Sequence, residues 1–208
     1  MRPINEKLAE ELLEAGKREF LERGFQGASM RSIAAAAGVT TGALYRYYTD
    51  KAAIFDKLVA EPANTLLERY REIQMDFSTL TLEQQLSNLP EISDDGQMWM
   101  MQYIYDNFDA FKLIVCCSAG TQYEYYLETL TEIEVNASHV LIEAMQAAGM
   151  DVQPIDDELI HIVSSMLFNG LFETIRHDMP REKAMEHMCS LRDFYAAGWF
   201  KILGISGS

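Results

Sequence analysis

Apolar residues recur at three- and four-residue intervals along almost the whole chain, and no long alternating run bounded by turn residues is found. The pattern predicts an all-α protein of about nine helices. In the first segment Ile4, Leu8, Leu12, Ala15, Phe20 and Leu21 form the apolar stripe, and Gly24 suits a left-handed cap at its end. Ser29 is an N-cap for a short helix, Met30 to Ala37, which Gly38 ends. Thr40 caps a third, Thr41 to Tyr48, and Asp50 a fourth that begins at Lys51. Pro62 lacks an N–H for the ladder and marks a kink or restart, after which Leu66, Leu67, Tyr70 and Ile73 continue the stripe. Thr79 to Leu89 reads as a short helix ended by Pro90, and Ser93-Asp94-Asp95-Gly96 as a turn. Met98 to Cys117 is two helices or one bent one. Thr121 to Ala148 is a long helix ended by Gly149. Asp156 opens another, to about His177, and Pro180 sits at the first turn of the last, which runs to about Leu203. No repeat or flexible linker is visible.

With 49% hydrophobic residues the chain can build a core, which excludes a disordered or low-complexity protein. No charge-free run of about 18 apolar residues is present, so no membrane partner is expected. Met1 to Glu22 alternates charge with Leu and lacks a signal peptide's apolar core. Three cysteines cannot make a disulfide framework, and a cytoplasmic location is expected. The net charge of −15 argues against a nonspecific nucleic-acid binder. Its distribution changes that picture. Residues 1–60 carry a net +1 and the remaining 148 a net −16. From Ser29 to Lys51 the charged residues are Arg31, Arg46 and Lys51 against Asp50 alone. A small anion-facing head on an acidic body fits that split.

The densest information lies in Met30 to Tyr48. Ile33, Ala34, Ala37, Val39 and Leu44 are spaced to pack two short helices together, with Gly38 supplying the turn. That is helix-turn-helix construction, in which the second helix enters the major groove of DNA. Thr41, Gly42 and Ala43 are small and leave its N-terminus open to a phosphate. Arg46 has the reach for a guanine edge, and Tyr45 and Tyr47 for flanking phosphates. Lys51 stands at the first turn of its helix, the unfavourable end for a cation; a nearby phosphate would give the reason.

On these residues the segment from about Leu12 to Phe55 resembles the DNA-binding head of the TetR family of bacterial transcriptional regulators. Ala15, Phe20, Gly24-Phe25, Ser29, Arg31, Ile33-Ala34, Ala37-Gly38-Val39, Gly42, Leu44-Tyr45, Tyr47-Tyr48, Lys51 and Ile54-Phe55 carry the likeness. The rest of the chain matches only in length, helix count and all-α character. The resemblance implies base contacts from Thr41, Gly42, Ala43 and Arg46, with Arg31 assisting, and phosphate contacts from Ser29, Thr40, Tyr45, Tyr47 and Lys51. It implies a head at 1–50 and a ligand-binding and dimerisation domain at 51–208, sharing the fourth helix. The partners it implies are palindromic operator DNA, a small-molecule effector and a second copy of the chain.

In that family the last two helices form an intersubunit four-helix bundle. The candidates here are Leu159, Ile162, Ser165, Met166, Gly170, Leu191, Tyr195, Gly198 and Trp199, part of which can equally be core within one subunit. A bulky set, Trp99, Met100, Tyr103, Phe108, Phe111, Tyr123, Tyr126, Met145 and Phe168 with Asn169, suits an apolar effector pocket, although such a stripe is also what a plain core looks like. Asp106, Asp109 and Glu124 are further polar candidates. The expected function is a ligand-responsive repressor released from its operator by a small apolar or aromatic effector. A regulator triggered by a protein partner or by oxidation at Cys116 or Cys117 is the alternative, and an all-α enzyme or carrier the remote one. No phosphate-cradling loop, nucleophile elbow or metal-protease signature appears, so neither enzyme chemistry, a cofactor nor a metal is expected.

Overall fold

The computed structural model describes residues 5–204, and of 88–95 the helical backbone only. The described residues form nine helices and no strand: α1 (Glu6–Gly27), α2 (Met30–Ala36), α3 (Thr41–Leu44), α4 (Lys51–Thr79), α5 (Leu82–Asp106), α6 (Phe108–Cys117), α7 (Tyr126–Ala147), α8 (Asp157–Arg176) and α9 (Arg181–Leu203). They group into two compact units. One holds residues 1–65 with 107–126, the other 66–106 with 127–208, so α4 contributes to both. No helix among the described residues is long and apolar enough to cross a membrane.

The first unit is built on α1, whose inner face buries Leu12, Ala15 and Phe20. Phe20, Phe25, Phe55 and Tyr123 stack and tilt against one another at centroid distances of 5.2–6.1 Å. Gly16 permits the close approach of α4, since a Cβ there would lie 2.5 Å from an Ile54 methyl. The α6 helix packs along α1. Lys17 joins them by donating to Asp109 at 2.8 Å, and this bond, with a second to Glu14, raises the lysine's pKa. The following segment is tied to α4: Tyr123 donates to Asp56 at 2.6 Å and Tyr126 to the Ala63 carbonyl at 2.9 Å.

The second unit encloses Tyr70, Met100, Met101, Ile104, Leu130, Phe168, Leu171, Phe172 and Ile175. A satellite cluster of Leu141, Met145, Val152 and Leu203 lies at the far ends of α7 and α9. Arg181 pairs with Asp106 at 2.6 Å, and Tyr105 donates to the Met179 carbonyl at 2.9 Å, fixing the start of α9 against α5.

Several boundaries differ from the sequence expectation, each for a physical reason. Gly24 does take a positive φ, 67°, but α1 resumes after this kink and ends at Gly27. The third helix is short: beyond Leu44 the bonds Arg46 N–H to Ala43 and Tyr47 N–H to Leu44 are three-residue turns. Helix α4 passes through Pro62 without breaking. The expected stop at Pro90 and turn at Ser93–Gly96 are absent, and α5 is continuous across both. An interior proline costs a helix about 3 kcal/mol, a local preference that the fold as a whole can override. Conversely, α7 starts at Tyr126 rather than Thr121, because residues 118–126 turn to place Tyr123 and Tyr126 on α4. Ser29, Thr40 and Asp156 cap their helices as the spacing predicts, each accepting a backbone N–H three residues on.

Gly16→Ala drives its new methyl into Ile54. Overpacking of this kind costs about 1–3 kcal/mol, so the denaturant midpoint of the variant falls measurably; an unchanged midpoint would mean that α1 and α4 are not in contact there.

Candidate nucleic-acid interface

Two short helices and the turn between them form the site. Ile33 and Ala34 on α2 and Leu44 on α3 are buried, and Val39 bonds back to the Ala34 carbonyl at 3.0 Å. Gly38 holds a φ of 69° at the turn, a conformation that L side chains rarely adopt. Around this core the remaining residues face outward. Ser29, Arg31, Thr40, Gly42, Tyr45 and Arg46 are exposed; Thr41, Ala43 and Tyr47 are half-buried. Tyr45 is 54% exposed, a large side chain left half uncovered on the surface. The Tyr47 hydroxyl accepts the Asn5 N–H at 3.4 Å, so it marks where the start of α1 meets the end of α3. The Ser29 and Thr40 oxygens are engaged as caps for the Ser32 and Ala43 amides.

Lys51 answers its own puzzle, and the phosphate offered as its reason is not needed. Its ammonium donates to the carbonyls of Phe25, Gln26 and Ala28 at 2.7, 3.2 and 3.1 Å and lies 4.5 Å from the Phe25 ring centre. The unfavourable end of α4 is the favourable end of α1, whose last carbonyls it satisfies. All three ammonium hydrogens are used. Lys51 thus builds the head instead of reaching outward.

In the second unit the helices surround a cavity of about 570 Å³. Its wall includes Tyr70, Phe77, Met100, Phe168, Tyr195, Trp199 and Phe200, with Gln74, Glu134, Arg192 and Asp193 as polar members. The Tyr70 hydroxyl donates to Glu134 Oε2, and Gln74 Nε2 donates to both at 3.0 Å. Burial pushes Glu134 up from the usual carboxylate range and Tyr70 well above the usual phenol range.

Residues 12–58 match the family described as bacterial regulatory proteins, tetR family. Over 71 residues the chain is 34% identical to the HTH-type transcriptional repressor AcnR of Corynebacterium efficiens, covering 34% of this chain and 37% of that one. The segment 12–58 is thus similar to the TetR-family DNA-binding head. The match spans little more than a third of the length of that curated relative. Lower similarity runs further: it is 24% identical over 189 residues to the HTH-type transcriptional regulator AcrR of Shigella flexneri, covering 88% of this chain and 87% of that one. Among solved structures, NalD, the secondary repressor of the MexAB-OprM multidrug efflux pump in Pseudomonas aeruginosa, has the same fold, with a TM-score of 0.54 at 19% identity, covering 91% of this chain and 95% of that one.

The structure distributes the expected pocket residues in three ways. Met100 and Phe168 line the cavity. Phe111, Tyr123 and Tyr126 lie in the first unit's core, and Tyr123, pushed to about 12 by burial, is bonded to Asp56. Phe108 is half-buried in that same unit. Met145 fills the satellite cluster, Trp99 stacks on Tyr103 at 5.2 Å, and Asn169 is exposed and donates to Ser165. The further polar candidates serve elsewhere: Asp106 and Asp109 hold Arg181 and Lys17, and Glu124 accepts the Gly120 N–H at 2.9 Å. Of the expected dimer residues, Tyr195 and Trp199 turn to the cavity. Leu159, Ile162 and Met166 remain on an outer face of α8, with half-buried Ser165 and Gly170, and Leu191 and Gly198 lie on α9. Phe194, which the sequence reading passed over, is 64% exposed on α9. Cys117 is buried with its thiol pushed up to about 11, so it stays protonated at neutral pH and is a poor redox trigger. Among the described residues no group of three or more His, Cys, Asp or Glu is placed to hold a metal.

Lys51→Met removes three charge-assisted bonds to α1. The expected loss is about 1–3 kcal/mol of unfolding free energy, read by denaturant titration; a variant of full stability with weakened DNA binding would return the lysine to the phosphate role.

Proposed function

We propose that the protein is a ligand-responsive transcriptional repressor that binds a palindromic operator as a homodimer and leaves it when a small molecule enters the cavity. Residues 1–50 read DNA, and 51–208 bind the effector and dimerise. The observation that carries the reading is the outward face of the α2–α3 pair: Arg31, Gly42, Tyr45 and Arg46 are exposed on a helix-turn-helix with a packed interior. Thr41, Gly42 and Ala43 bring backbone close to the groove, Arg46 and Arg31 reach base edges, and the hydroxyls of Ser29, Thr40, Tyr45 and Tyr47 meet phosphates. Such a regulator works in the bacterial cytoplasm, where its operator is.

One such head makes few base contacts, so selectivity calls for two, with half-sites roughly 34 Å or a multiple of it apart. The outer face of α8 supports pairing. This helix buries Ile160, Phe168, Leu171, Phe172 and Ile175 on one side and still leaves Ile162 and Met166 52% and 49% exposed on the other. A helix that is apolar on both sides is one that is covered on both sides, and Phe194 of α9 adds to the uncovered surface. For release, α4 is the natural lever: it begins at Lys51 in the head and carries Tyr70, Ile73, Gln74 and Phe77 to the cavity wall. An effector that favours a head spacing unsuited to the operator shifts the population, and a coupling of about 1–3 kcal/mol lowers DNA affinity about 5–150-fold.

A gel shift with the region upstream of the protein's own gene tests this reading. Wild-type protein shifts the fragment at moderate salt. Arg46→Ala loses the shift by about tenfold or more in affinity, the loss of one bidentate base contact of about 1–3 kcal/mol, while sedimentation still reports a dimer. Ile162→Asp loses both the dimer and the shift with helicity intact. An Arg46→Ala protein that binds as wild type, or a monomeric Ile162→Asp protein that binds unimpaired, would overturn it.

A further inference from the structure

The cavity has a polar group whose chemistry neither the fold nor the head accounts for. Glu134 lies on α7 among residues that otherwise follow the buried stripe, Leu130, Thr131, Ser138 and Leu141. Both of its hydrogen bonds, from Tyr70 and from Gln74, go to Oε2, and Oε1 accepts none. Both partners are neutral. Among the described residues no lysine, arginine or histidine pairs with it. Arg192 lines the same cavity, but its guanidinium is held by Asp193 at 2.9 and 3.0 Å, so the described lining carries one unbalanced negative charge. A carboxylate enclosed without a counter-charge is costly to keep, and burial presses Glu134 towards its neutral form. A glutamine would hold Tyr70 and Gln74 as well and at lower cost. The same lining includes Tyr70, Phe77, Phe168, Tyr195, Trp199 and Phe200, aromatic residues of the kind whose ring faces attract a cation.

We propose that the cavity takes a lipophilic monocation, an amine or quaternary ammonium on an aromatic or alkyl body, with Glu134 opposite its charge and the aromatic wall around its body. The volume of about 570 Å³ suits a molecule of drug-like size. An anion of the same body would face Glu134 and is disfavoured. The inference rests on the cavity being the effector site, and it goes further by fixing the charge of the effector.

Three probes of one body and different charge test it: phenylbutyl-trimethylammonium, phenylbutanol and phenylbutanoate, titrated into the full-length protein by calorimetry. The ammonium binds about tenfold or more tighter than the alcohol, and the anion is weakest. In Glu134→Gln the ammonium's advantage disappears while the alcohol's affinity stays within about twofold. Tyr70→Phe, which keeps the carboxylate, retains the advantage. Equal affinities, or an anion that binds best, overturn the proposal from wild-type data alone, as does an advantage that survives in Glu134→Gln. Adding each probe to the gel shift separates this from the broader reading. A cation that binds preferentially without releasing DNA upholds the charge assignment and overturns the effector role. An alcohol or anion that binds best and releases DNA does the reverse. Binding of none of the three overturns both.

Discussion

A helix of four residues has too few internal hydrogen bonds to fix its own direction. Everything α3 can do depends on neighbours that aim it. Leu44 anchors it to the buried face of α2, Thr40 closes its first turn, and Tyr47 meets the backbone of Asn5 at the start of α1. The same economy governs the other end of the head. Lys51 reaches under the last carbonyls of α1 and ties the start of α4 to it, next to the aromatic group of Phe20, Phe25 and Phe55. The reading surface is therefore small and polar, and it rests on a rigid apolar support, as a site that must hold a fixed geometry requires.

The second unit follows a different logic. Where the head packs its aromatic residues Phe20, Phe25 and Phe55 against one another, this unit keeps an aromatic cavity and an expensive carboxylate within it. Packing alone would favour filling the space. Groups held in an unfavourable electrostatic state, in a cavity with convergent polar atoms, mark places where stability has been traded for binding. Among the described lining residues Arg192 pairs with Asp193 on α9, and Glu134 is the charge they leave unbalanced.

The head was legible in the sequence because its signals are local and mutually consistent. Ser29, Thr40 and Asp50 are capping residues, each followed at the right interval by the amide it satisfies, and Gly38 takes the positive φ of the turn between α2 and α3. Lys51 was misread because its partners lie 23–26 residues away, beyond any helical period. Pro90 and the Ser93–Gly96 stretch read as breakers since propensity is a local quantity, which tertiary context routinely overrides, and α5 is continuous across both. The cavity was legible only as a class of residues. Aromatic spacing shows which side chains are buried without showing which of two cores takes them, so Phe111, Tyr123 and Tyr126 were grouped with Phe168. Glu134 did leave a trace. It stands four residues after Leu130 and seven before Leu141, an acid inside an otherwise buried stripe, and that interruption is the signal by which it could have been found.

The most direct measurement of the whole account is a hydroxyl-radical footprint on DNA selected by the purified protein from a random pool. If α3 lies in the major groove of each half of a two-fold site, the selected sequences converge on an inverted repeat. The backbone is then protected in two symmetric patches whose centres are about 34 Å, or a multiple of it, apart. Recovery of no common sequence, or protection as one continuous or single patch, would contradict it.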